Sequence, residues 1–112
     1  MPVQTTLKSD SNVGKTVKPS DALHSNRDAI RDVVAAHRAC NARVFGSVVH
    51  GRDTYKSDLD ILVDPTSATT LCDLGAIKRE LTALLGVSVD VLTPMALPEK
   101  FRNIVLAEAM PV

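Results

Sequence analysis

Apolar spacing divides the chain into six segments that follow a polar start. Residues 1–19 carry Gly14 and two prolines with no sustained periodicity, and are expected to form a mobile tail ahead of a domain spanning 20–112. From Ser20 to Cys40, Leu23, Ile30, Val33, Val34 and His37 fall near one stripe and predict a helix. Arg27, Asp28, Arg31, Asp32 and Arg38 fill its solvated side, and Asn41, which tolerates the left-handed conformation, is the expected stop. Ala42–Phe45 reads as a short buried strand running into Gly46-Ser47. A polar connection over 51–56 leads to a second strand, Asp58–Val63, which Asp64-Pro65 ends because proline cannot donate to a ladder. Thr69–Leu85 has Leu71, Leu74, Leu81, Leu84 and Leu85 in helical phase, with Gly86 as its stop. Val87–Leu92 alternates, with Val87, Val89 and Val91 on one face and Ser88, Asp90 and Leu92 on the other. Pro98–Ala109 is the last helix, with Phe101, Ile104 and Val105 on its expected core stripe and Pro111 closing it. The order helix, strand, strand, helix, strand, helix predicts an α/β single domain.

Composition narrows the function classes. At 112 residues the chain suffices for one modest core, and 13 basic against 13 acidic residues give no net field that would recruit nucleic acid or an anionic membrane. No stretch approaches the roughly 18 apolar residues of a membrane span, and the N-terminus lacks the apolar core of a secretion signal. Cys40 and Cys72 have no metal-type spacing and are expected as buried or half-buried free thiols in a reducing cytoplasm. Gly14-Lys15-Thr16 imitates the end of a P-loop, but Ser9 stands where its first glycine belongs and no buried strand precedes it.

Chemistry concentrates between Arg43 and Pro65. Asp58 and Asp60 are two residues apart in a strand, so both carboxylates point to one face while Leu59 and Ile61 point to the other. Adjacent like charges repel, and a cation between them would remove that cost. If the second and third strands lie side by side, Asp90 completes a triad of hard oxygen donors suited to Mg²⁺. The three carboxylates are equally compatible with a solvent-exposed sheet face. Gly46-Ser47 shifts the balance by position: a glycine-serine turn after a buried strand offers backbone N–H groups and a hydroxyl to a phosphate.

Gly46-Ser47, ten residues, then Asp58-Leu59-Asp60 resembles the GSx₁₀DxD signature of the polymerase-beta-type nucleotidyltransferase superfamily, specifically its minimal single-domain (MNT) branch. The likeness runs from about Leu23 to the C-terminus and takes in Gly51, Ser57–Val63, Leu84-Leu85-Gly86, Val89–Leu92 and Ile104–Ala109. It implies a small mixed, largely antiparallel sheet with helices packed on one side. It also implies that Asp58, Asp60 and Asp90 are the catalytic and metal-binding residues for two Mg²⁺ ions, and that Gly46 and Ser47 hold the terminal phosphates of ATP. His50 stands where this branch commonly has arginine, and is the third expected nucleotide contact; Arg43 and Arg52 are nearby basic residues that could share the task.

By the same resemblance, the protein is an antitoxin that transfers AMP to a tyrosine hydroxyl of a small helical HEPN ribonuclease toxin encoded beside it, without binding nucleic acid directly. Two alternatives remain open on the residues themselves. One is a catalytically weak metal- or nucleotide-binding module that masks its partner by stoichiometric contact. The other is a small-molecule transferase completed by another subunit.

Overall fold

A computed structural model describes residues 17–112; the expected tail up to residue 16, with Gly14-Lys15-Thr16, lies outside them. The chain runs through α1 (Pro19–Ser25), α2 (Arg27–Ala36), β1 (Ala39–Phe45), a 3-10 turn (Gly46–Val48), β2 (Leu59–Pro65), α3 (Leu71–Leu85), β3 (Val89–Leu92), a second 3-10 turn (Pro94–Ala96), α4 (Glu99–Glu108) and β4 (Met110–Pro111). The sheet order is β3-β2-β1-β4. β1 is antiparallel to both β2 and β4, whereas β2 and β3 are parallel, which the α3 crossover between them permits.

β2 is central because its sequence can be buried on both faces. Leu59, Ile61 and Val63 meet Leu23, Ile30 and Val34 from α1 and α2, Ile77 and Leu81 from α3, and Val44 and Val89 from the flanking strands in one core. Leu62, on the opposite face, is also fully buried, and the turn Pro94–Ala96 contacts β2. Full burial of each such side chain contributes roughly 1.5–3 kcal/mol, so this strand carries a large share of the core energy.

α3 has well-defined ends. Thr70 accepts a hydrogen bond from the Asp73 N–H at 3.1 Å while the Asp73 carboxylate accepts from the Thr70 N–H at 2.9 Å, a reciprocal capping box. Gly86 closes the helix in the left-handed region at φ 71°. Thr70→Ala is expected to cost about 1 kcal/mol, read as a lower urea midpoint at unchanged slope.

Several expectations are corrected. The single helix over 20–40 is two helices broken at Asn26 (φ −136°), whose side-chain amide donates to the Ala22 carbonyl at 2.8 Å. Its second half ends at Ala36, and Cys40 belongs to β1. Asn41 is left-handed as expected (φ 53°), but inside β1, where the pairing with β2 shifts register between Cys40 and Arg43. Both cysteines are free, and both are exposed. β4, two residues pairing with Arg43 and Val44, is an element that the reading of Pro111 as a simple terminator did not contain. The last helix buries none of its residues: Phe101 is 49% and Ile104 56% exposed. No helix among the described residues is long and apolar enough to cross a membrane.

Candidate active site

The sheet topology brings two of the three aspartates together. In the parallel β2–β3 pair Asp60 lies directly opposite Asp90, and Phe45, the residue before Gly46, lies opposite Asp60 on its other side. Asp60, Leu62, Asp90 and Leu92 therefore share the face opposite the main core. Asp58 precedes β2 by one residue instead of lying within it and is exposed, but it remains close enough to act on Asp60 electrostatically.

Asp60 is the electrostatic centre. Burial, then the Asp90 charge, then the Asp58 charge push its carboxyl up to about 6, and no hydrogen bond opposes them. Asp90 has a cation at its outer side, the Lys78 ammonium on α3, with Nζ 3.5 Å from Oδ1.

The Gly46–Val48 turn closes the other side of Asp60. It is a 3-10 turn, held by Val49 N–H to Gly46 O at 3.1 Å and Arg52 N–H to Ser47 O at 2.9 Å. Gly46 is left-handed (φ +79°), and a Cβ there would lie 2.4 Å from Asp60 Oδ2. The turn thus packs its backbone against the carboxylate in space that only glycine leaves. His50 follows on this loop, its Nε2 3.0 Å from Glu108 Oε1 of α4.

Of the two arginines, Arg43 is committed elsewhere: its guanidinium pairs with Asp64 and its Nε donates to Asn41 O at 3.1 Å. Arg52 is exposed beside the turn. Asp53, which sequence reasoning passed over as loop, is buried and accepts a 2.9 Å hydrogen bond from the Ser20 N–H in the first turn of α1. Burial would raise its pKa, but the hydrogen bonds from Ser20 and from its own backbone, with Lys18 nearby, leave it below the ordinary carboxylate value. It anchors the loop leading from Gly51 toward Asp58, and an Asp standing 33 residues from a proline-initiated helix carried no local signal of that role.

Among the described residues, no three His, Cys, Asp or Glu side chains are drawn together tightly enough to enclose a metal ion by themselves. The donors do suit one: Asp58, Asp60 and Asp90 are hard oxygens, Asp60 lacks a compensating donor, and Mg²⁺ usually takes one or two carboxylates and completes its shell with water and substrate phosphate.

A family model described as "Nucleotidyltransferase domain" matches residues 29–112. A solved structure described provisionally as a minimal nucleotidyltransferase superposes with a TM-score of 0.75 at 40% identity, covering 83% of this chain and 95% of that one. The protein adenylyltransferase MntA of Thermococcus cleftensis is 38% identical over 67 residues, 60% of this chain and 68% of the relative. A toxin–antitoxin complex with AMP-PNP shares the fold at 18% identity, with a TM-score of 0.66 over 77% of this chain and 71% of that one.

Proposed function

The chain belongs to the nucleotidyltransferase domain family, and from that premise we propose that it is an Mg²⁺-dependent protein adenylyltransferase acting as an antitoxin. It transfers AMP from ATP to a hydroxyl, that of a tyrosine, on a partner HEPN ribonuclease toxin. The observation that carries this reading is the Asp60–Asp90 register with Gly46 packed against Asp60: carboxylates and the glycine-serine turn meet at one point.

Asp58, Asp60 and Asp90 would hold the two Mg²⁺ ions. Bound there, Mg²⁺ supplies charge neutralisation along the triphosphate. Gly46 and Ser47 orient the terminal phosphates through backbone N–H groups and the hydroxyl, and His50 contributes an N–H donor. The acceptor oxygen attacks the α-phosphorus in line, its proton passes to Asp90, and the bond to pyrophosphate breaks. The chain's own contribution is positioning.

A second reading, stoichiometric masking of the partner, draws on the exposed Phe101 and Ile104 of α4, an apolar surface available for contact. One experiment separates the two. The protein is incubated with Mg²⁺, labelled ATP and the helical toxin encoded beside it. Label on the toxin that vanishes with Asp58→Asn is the expected result. Inhibition of the toxin that survives Asp58→Asn, with no label transferred, would replace the enzymatic reading by masking.

A further inference from the structure

α4 is weakly attached for a helix of ten residues. It buries none of its side chains. At its start Arg102 reaches back to the Pro94 and Leu97 carbonyls at 2.9 and 3.0 Å, a local anchor. At its end Glu108 contacts His50, 58 residues away. Among the described residues this is the side-chain hydrogen bond that joins α4 to the loop after Gly46-Ser47.

Glu108 is in an unfavourable place for a carboxylate. It ends α4, whose last turn carries no basic residue, so it faces the partial negative charge of unpaired carbonyls. A hydrogen bond from His50 offsets that cost. The contact also has a chemical consequence for the ring. An ionised carboxylate only accepts, so a 3.0 Å contact to Nε2 requires hydrogen on Nε2. A ring donating there can also donate to a phosphate only through a protonated Nδ1. To bridge Glu108 and a phosphate oxygen, His50 would donate from both ring nitrogens, Nε2 to the carboxylate and Nδ1 to the anion.

We propose that Glu108 is a positioning residue for nucleotide binding: from the end of α4 it fixes the ring orientation and the donating nitrogen of His50 at the phosphate turn. Arginine carries its own fork of donors and needs no such partner, whereas an imidazole does. The inference rests on the reading of His50 as a phosphate contact.

The test is calorimetric titration of the protein with AMP-PNP in saturating Mg²⁺, which needs no acceptor. Glu108→Ala is expected to weaken binding about three- to tenfold, the value of one charge-assisted hydrogen bond at an exposed site. Glu108→Gln, whose amide oxygen still accepts from Nε2, should retain most of the affinity. In a His50→Ala background, Glu108→Ala should change the Kd by less than about twofold, because the pair is already broken. An equal loss from Glu108→Ala in both backgrounds would overturn the proposal and assign the effect to α4 packing. Unchanged or tighter binding in Glu108→Ala, with His50→Ala still weak, would overturn it while leaving His50 as a phosphate contact. If His50→Ala itself leaves the Kd unchanged, the phosphate reading of His50 fails and the proposal with it. Circular dichroism of each variant confirms that α4 is retained.

Discussion

Asp60→Asn is expected to lower nucleotidyl transfer at least about a thousandfold while making the metal-free protein more stable at neutral pH. The activity loss follows from removing the carboxylate at the centre of the charge cluster, since metal-mediated charge neutralisation supplies several kcal/mol and each 1.36 kcal/mol is tenfold in rate. The stability gain follows from linkage. The Asp60 carboxyl is pushed up to about 6 in the folded state by burial, Asp90 and Asp58, against an ordinary value of 3.8. A group whose folded pKa is raised contributes stability that is fully present below the unfolded value and is lost as pH rises through the folded one. Wild type therefore loses stability between about pH 4 and pH 6, and the neutral asparagine does not. Because Asp60 is only half-buried, solvent screening reduces the effect to about 1 kcal/mol. Urea unfolding of both proteins at pH 4 and pH 7.5 without divalent cations checks this: the midpoints should coincide at pH 4 and separate at pH 7.5 in favour of Asp60→Asn. Saturating Mg²⁺ should then raise the wild-type midpoint and leave the variant almost unmoved, since a ligand stabilises only the form that binds it. A less stable variant at pH 7.5 would mean that burial and the Asp90 and Asp58 charges do not disfavour the ionised Asp60 carboxyl.

The parts of this site that were legible in the sequence are those written in local spacing. Alternation marked Asp60 as the polar exception in a buried strand, and a third aspartate could join it if the second and third strands lay side by side, as they do where Asp60 faces Asp90; Asp58, expected inside the strand, instead precedes it. Gly46 was legible as a turn; the reason it is glycine, the Asp60 carboxylate against its Cα, required the antiparallel β1–β2 pairing. What was not legible is set by long-range contacts. The break at Asn26 keeps the apolar phase of the surrounding helix, so periodicity runs straight across it. β4 is two residues long and exists only because Arg43 and Val44 offer an edge. The stripe of Phe101 and Ile104 is a genuine helical stripe, but period alone does not say whether anything covers it. Asp53 on α1 and Glu108 on His50 are pairings across 33 and 58 residues, and their sequence neighbourhoods carry no trace of them.

Gly46→Ala is expected to cost about 1–2 kcal/mol in stability and about a hundredfold in transfer, a disproportion that identifies the turn as part of the site. The stability cost is the left-handed backbone: at φ +79° an alanine Cβ approaches the following carbonyl, a strain of roughly 1–2 kcal/mol. The activity cost has a separate origin. The new Cβ would lie 2.4 Å from Asp60 Oδ2, 3.3 Å from its Cγ and 3.6 Å from its Cβ, so the carboxylate must swing away from its position opposite Asp90. A displacement of about 1 Å in a positioned catalytic group is enough for a hundredfold loss. Gly51 provides the control on the same loop. It is also left-handed, at φ +67°, but nothing lies within 4 Å of its hypothetical Cβ. Gly51→Ala should therefore show a similar fall in urea midpoint with transfer retained within a few-fold. The same comparison extends to metal: Mn²⁺ affinity, followed by electron paramagnetic resonance, should fall in Gly46→Ala and hold in Gly51→Ala. Equal activity loss in the two variants would show that loop strain alone disables transfer, and that the contact between Gly46 and Asp60 has no special part in it.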